Sequence, residues 1–198
     1  GANRDLHSFP TRRSSDLGRL SIEKGVEYLI RAWLMWGTSA PELRILGDGP
    51  LRTFLQKMTS MSPDVPIRFL GQLTSADAAQ HIARAQLLVL PSICYEAFAL
   101  VIAEAFGHGT PVAVSNIGSL PTIVREGVNG VIFDAREPES LLNTVRSIWS
   151  APTLLEKMGM RARDEYDAHY NEALNYKKLI EIYKAIKAIK YNTKRLET

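Results

Sequence analysis

Arg19 and Lys24 stand five residues apart in Gly18-Arg19-Leu20-Ser21-Ile22-Glu23-Lys24-Gly25, where a loop gives way to an apolar-periodic segment. A guanidinium, an ammonium and the positive end of a helix meeting at one spot can offset two or more negative charges, which is what a diphosphate requires. Ser21 is placed to cap that helix. Spacing alone leaves a second reading open, an exposed arginine and a lysine paired with Glu23 or Glu27 on a solvated face. A pair of acids is more unusual. Glu96 and Glu104 enclose Ala97, Phe98, Ala99 and Leu100, and Glu104 falls in a helical stretch otherwise apolar from Ala97 to Phe106, where a carboxylate would need a partner. Eight helical residues rise about 12 Å and turn roughly 80° off one face. Paired carboxylates of a glycoside hydrolase need about 5 Å or about 6.5 to 9.5 Å, so these two acids fit two parts of one extended ligand instead. Small Ala97 and Ala99 would let that ligand approach the backbone.

The segments around these residues alternate in type. Residues 22–36 carry Ile22, Val26, Leu29, Ile30, Trp33 and Leu34 at helical spacing, and 43–46 is an apolar run closed by Gly47-Asp48-Gly49-Pro50, with Pro50 opening the next helix. Strand-like 67–70, 87–90 and 111–114 each precede a helical pattern, over 75–85 with Ser75 as N-cap, through 105, and near 120–126. A last strand at 131–133 is followed only by helices, about 139–150, 153–166 and 172–190. This alternation predicts an α/β fold, a doubly wound parallel sheet of Rossmann-like type with C-terminal helices. Such sheets bind ligands beyond the carboxyl ends of their strands, in the loops that hold the residues above.

The chain has 198 residues, 45% apolar and 8% aromatic, the balance of one globular domain. Disorder, collagen and coiled coil are excluded as whole-chain readings. A lone cysteine, Cys94, excludes an internal disulfide and a multi-cysteine zinc site. No His or Cys is spaced as a metal-ligand pair. The net charge of +3 is unevenly spread, with seven bases against two acids from Lys177 onward but 14 against 17 over 18–176. A mildly acidic body with a basic tail does not make a phosphate-tracking groove, so nucleic acid is not an expected partner. Without a long apolar run or a secretory leader, the expected location is the cytoplasm. Residues 7–17 lack any periodicity and resemble the conceptual translation of a sequencing-adapter oligonucleotide. The organisation expected is therefore a non-native segment over 1–17, a ligand-binding domain over 18–170, and a basic amphipathic helix and tail over 171–198.

Six motifs occur in order: 18–25, Gly-Asp-Gly-Pro at 47–50, Phe-Leu-Gly at 69–71, the acids Glu96 and Glu104, Gly-Thr-Pro-Val at 109–112 and Glu-Gly-Val-Asn-Gly at 126–130. Together they resemble the C-terminal, donor-binding domain of GT-B-fold retaining glycosyltransferases of the family-4 type, the glycosyl transferases group 1, over about 18–170. The resemblance implies that Arg19, Lys24 and Glu96 are the catalytic set. The two cations would hold the donor diphosphate and stabilise it as leaving group, and Glu96 would lie by the donor sugar's hydroxyls. It further implies that Glu104 bonds the ribose, that backbone N–H groups of Ala97, Phe98, Ala99 and Leu100 face sugar and phosphate oxygens, and that Gly18, Gly25, Gly47, Gly49 and Gly71 frame the donor. The implied activity is that of a hexosyltransferase-like enzyme of polysaccharide biosynthesis, using a nucleotide-sugar donor and a carbohydrate or lipid-linked acceptor, with no cofactor and no metal.

The sequence also departs from that pattern. Ala97 and Ala99 stand where the family commonly has glycine, and Thr122 where it usually has Glu. The apolar strand expected before Gly18 is replaced by Arg12-Arg13-Ser14-Ser15-Asp16, so the first, central strand is expected to be missing, with 16–20 as a candidate remnant. The N-terminal acceptor domain is expected upstream, and the fragment alone is expected to be inactive. A non-catalytic module binding a nucleotide sugar or a partner in the same crevice is the alternative. His108 reads as a turn residue, His81 and His169 as solvated. The tail sets Leu179, Ile180, Ile182, Tyr183, Ile186 and Ile189 against five lysines, a face for the missing domain or an anionic membrane surface.

Overall fold

In the computed structural model, which describes residues 5–8, 19–95 and 100–196, six strands form one parallel sheet. They are β1 (Asp5–Ser8), β2 (Leu43–Leu46), β3 (Ile67–Gly71), β4 (Ala85–Leu90), β5 (Val112–Ser115) and β6 (Gly130–Phe133). Their spatial order is β3-β2-β1-β4-β5-β6, so the winding reverses between β1 and β4 and opens a crevice at their carboxyl ends. β5 is buried along its whole length and β4 nearly so, which is why parallel strands covered on both faces read as unbroken apolar runs.

The expectation of a missing central strand is corrected here. β1 pairs with β2 on one side, Leu6 opposite Leu43, and with β4 on the other, Leu6 opposite Leu87 and Ser8 opposite Val89. Without it, the facing edges of β2 and β4 would each present a row of unpaired N–H and C=O groups inside the domain. Backbone alone satisfies both edges, so a segment with no apolar pattern, set outside the fold on that ground, fills the place. The proposed remnant forms no strand among its described residues, and Arg19 makes a single parallel bridge to Asp48.

Helices cover both faces: α1 (Val26–Trp36), α2 (Arg52–Ser60), α3 (Ser75–Arg84), α4 (Leu100–Gly107), α5 (Leu120–Ile123), α6 (Pro138–Trp149) and α7 (Pro152–His169), with α8 (Glu172–Leu196) running on. Alternation along β4 divides the core. Leu87 and Val89 pack with Leu29, Ile30, Trp33, Leu141 and Val145, whereas Leu88 and Leu90 pack with Ile82, Ile102, Phe106 and Ala162. Trp33 is fully buried, and its indole N–H donates to Pro41 O at 2.9 Å.

Three helix starts differ from the sequence reading. The predicted 22–36 helix is a 3-10 turn (Ile22–Lys24) and α1, broken by Gly25 at φ 65°. Pro50 lies in the turn before α2. Thr74, not Ser75, caps α3, accepting from Asp77 N–H at 3.2 Å while its hydroxyl donates to Asp77 Oδ2 at 2.6 Å. Thr74→Ala is expected to cost about 1 kcal/mol, typical of a lost cap, read in a thermal melt as a drop of about 2 to 4 °C.

Candidate functional site

Among the described candidates, Arg19, Lys24, Gly25, Gly47 and Gly49 lie in loops or turns, Gly71 ends β3, and Leu100 and Glu104 lie in α4; backbone contacts join the loops. Leu20 N–H donates to Asp48 O at 2.7 Å and Leu51 N–H to Leu20 O at 2.9 Å, which seats the Arg19 segment on the turn after β2. Gly47 N–H donates to Gly71 O at 2.7 Å, joining the ends of β2 and β3. The β2–β3 register shifts there, between Ile45 and Leu46. Ile93 N–H donates to Glu23 O at 2.9 Å, tying the Lys24 turn to the loop after β4. Glycine is needed at two of these joints. A Cβ on Gly25 would fall 1.9 Å from Pro91 O, and one on Gly49 2.4 Å from Leu20 N.

Around this frame the charges are mixed. Arg19 is exposed and Lys24 half-buried. Ser21 does not cap a helix. It is buried, and its hydroxyl donates to Glu23 Oε1 at 2.6 Å, with Arg19 O 3.3 Å away. The Glu23 carboxyl is held below its ordinary pKa, first by Ser21 and then by its own backbone N–H, with smaller help from the charges of Lys24 and Arg19. Of the two acids in the solvated-face reading, Glu27 pairs with Arg31 at 2.6 Å, and Glu23 feels the charges of Lys24 and Arg19. Asp48 is likewise lowered, by the Gly49 N–H and by Arg52, whose Nη1 lies 2.7 Å from Oδ2.

Not every candidate is where the sequence put it. Gly18, Glu96, Ala97, Phe98 and Ala99 lie outside the described residues. Leu100 opens α4 and is 40% exposed. α4 buries Val101, Ile102, Ala105 and Phe106, and Glu104 lies on its exposed side, so it is not the buried acid that the apolar stretch suggested. His108 is an exposed turn residue at the amino end of β5, the edge opposite the crevice. His169 is exposed beside Glu165 at 3.5 Å, but His81 is half-buried rather than solvated, since α3 lays it against the domain. Sequence reasoning missed two tertiary ties, Ile93 to Glu23 and the buried Ser115 hydroxyl donating to Ser92 O. No local pattern marks either one. Among the described residues, no group of three or more His, Cys, Asp or Glu is placed to hold a metal, and no helix is long and apolar enough to cross a membrane.

The glycosyl transferases group 1 family matches residues 16–151, more than half of the chain. The chain belongs to this family. This group 1 chain is 33% identical over 147 residues to the uncharacterized glycosyltransferase MJ1607 of Methanocaldococcus jannaschii, covering 73% of the chain and 36% of that protein. It is 30% identical to the sulfoquinovosyl transferase SQD2 of Arabidopsis thaliana, covering 85% and 32%. The group 1 chain thus spans about a third of the length of these curated relatives. Among solved structures, Anabaena Alr3699/HepE in complex with UDP has the same fold with a TM-score of 0.80 at 23% identity, over 93% of this chain and 49% of that one. The C-terminal domain of the group 1 family protein LpcC from Francisella tularensis matches with a TM-score of 0.72 at 19% identity, over 84% and 86%. The doubly wound sheet read from the strand and helix alternation, and the GT-B type that the motif resemblance implied, are therefore those of this family.

Proposed function

We propose that this chain carries the donor site of a retaining glycosyltransferase that takes a sugar from a nucleoside-diphosphate sugar. The observation that carries the reading is the convergence of the Arg19–Lys24 segment with the loops after β2, β3 and β4, through Leu20–Asp48, Gly47–Gly71 and Ile93–Glu23. Family membership and the UDP bound by the Alr3699/HepE neighbour support it. In this reading the bond from the anomeric carbon to the diphosphate breaks, the electron pair leaves with the diphosphate, and Arg19 and Lys24 offset the charge that develops there. An acceptor hydroxyl oxygen forms the new bond with configuration retained, and its proton goes to an oxygen of the departing diphosphate. Fixed cations need no reorganisation at that moment, so no metal is required. Glu104, on the exposed side of α4, holds the ribose, and Glu96 the donor sugar.

The acceptor half belongs to sequence upstream of this domain, and this chain alone is inactive. The exposed stripe of Tyr176, Leu179, Tyr183 and Ile186 on α8 is the surface against which that half rests, in a cytoplasmic protein. Arg19→Ala and Lys24→Ala, made in a chain with its upstream half restored, are each expected to weaken nucleoside-diphosphate-sugar binding about 10- to 100-fold, the worth of a lost charge-assisted hydrogen bond. Calorimetric titration and turnover measure this. Unchanged affinity and turnover in both would remove the proposal.

A further inference from the structure

An acid stands in the middle of the two-cation segment, where it would repel a bound anion. Glu23 is exposed, yet it is held at both ends: its carboxylate accepts from the buried Ser21 hydroxyl at 2.6 Å, and its main-chain carbonyl accepts from Ile93 N–H at 2.9 Å. Ser21 is in turn placed by its own segment, with Arg19 O 3.3 Å from the same hydroxyl oxygen and Lys24 N–H donating to Ser21 O at 3.2 Å. Arg19, Ser21, Glu23 and Lys24 thus make one connected turn. The joint at Ile93 fixes that turn against the loop after β4, three residues before Glu96.

We propose that Ser21 and Glu23 are positioning residues, a hydroxyl–carboxylate clamp that presets the Arg19 and Lys24 side chains for a diphosphate. The inference rests on the diphosphate reading above and assigns roles to two residues which that reading leaves unused. The clamp gives the acid a use beside an anion site: Ser21 fixes the carboxylate, and from that fixed place its charge acts on Lys24 and Arg19. The lowered pKa of Glu23 agrees, since the Ser21 hydroxyl and the nearby cations favour the charged carboxylate.

The sign of one substitution separates this from a bystander role. An acid that merely lies near a bound anion repels it, so Glu23→Gln would tighten binding. A positioning acid gives the opposite result. The test is calorimetric titration of this chain with inorganic pyrophosphate, which carries no base or sugar, and with UDP, using the unsubstituted chain, Ser21→Ala, Ser21→Thr, Glu23→Gln and Arg19→Ala. Thermal melts check that each variant is folded. Expected are affinities about tenfold weaker for pyrophosphate in Glu23→Gln and Ser21→Ala, the scale of one charge-assisted hydrogen bond, with Ser21→Thr near the unsubstituted value because it keeps the hydroxyl. Equal or tighter binding in Glu23→Gln, or no rescue by threonine, would overturn the clamp while Arg19→Ala still weakened binding. If the unsubstituted chain bound neither probe, or Arg19→Ala bound as well as it does, the diphosphate reading itself would fail and the clamp with it.

Discussion

A chain carrying Gly25→Ala is expected to melt about 10 °C lower, on a scale of about 2 to 4 °C per kcal/mol for a domain of this size, and to lose pyrophosphate and nucleoside-diphosphate binding. Two independent costs meet at this residue. Its φ of 65° lies in the left-handed region, where an L side chain costs roughly 1 to 2 kcal/mol. The added Cβ would also sit 1.9 Å from Pro91 O and 3.1 Å from Ile93 Cγ2. Pro91 O is main chain, so relief comes only by moving the loop after β4 away from the Lys24 turn. That motion pulls on the Ile93 N–H bond to Glu23, the one that registers the cationic segment against the loop leading to Glu96. Circular-dichroism melts and calorimetry measure both effects. A melting temperature within about 2 °C of the unsubstituted chain, in a domain of this size, would mean that the two loops are not seated as described.

Gly49→Ala is a sharper case because the ordinary expectation has the other sign. Gly49 does not have a left-handed φ, and at such a site alanine stabilises by about 0.4 to 1 kcal/mol through the unfolded chain. Here it is expected to destabilise by about 2 to 3 kcal/mol, the worth of two main-chain hydrogen bonds and an unrelieved overlap. The Cβ would lie 2.4 Å from Leu20 N and 2.7 Å from Leu20 O, the two atoms that bond Asp48 O and Leu51 N–H. Leu20 is fully buried and cannot yield outward, so the Arg19 segment would lift from the turn after β2. Urea titration gives the stability change and pyrophosphate titration the loss of the site. Stabilisation by Gly49→Ala would contradict the seating of Leu20 on this turn.

What the sequence made legible follows from where the physics is local. Val112–Ser115 is buried along its whole length and Leu43–Leu46 at all but Arg44, so they read as apolar runs, and α1 and α6 show their buried stripes directly. β1 is the opposite case. Asp-Leu-His-Ser has no pattern, and its place is dictated by the vacant edges of β2 and β4, which are distant in sequence. The site divides in the same way. Arg19, Lys24 and the turn glycines could be singled out by type and spacing. The use of Ser21 for Glu23 rather than for a helix end could not, because a serine before a helical pattern reads as a cap whatever its rotamer. The side of α4 that Glu104 occupies was not legible either, because the helix reads as apolar throughout until packing shows that it buries Val101, Ile102, Ala105 and Phe106 and leaves Glu104 exposed.

The alternation along β4 has a consequence for how this domain can change length. Leu87 and Val89 belong to one half of the core and Leu88 and Leu90 to the other, each half filled by different helices. One residue inserted within β4 would exchange the two sets, presenting each to partners shaped for the other, and one deleted would do the same. Evolution and engineering alike are thereby confined to lengthening or shortening this chain in its turns, and a homologue longer by a single amino acid is expected to carry the extra one between elements, never within that strand.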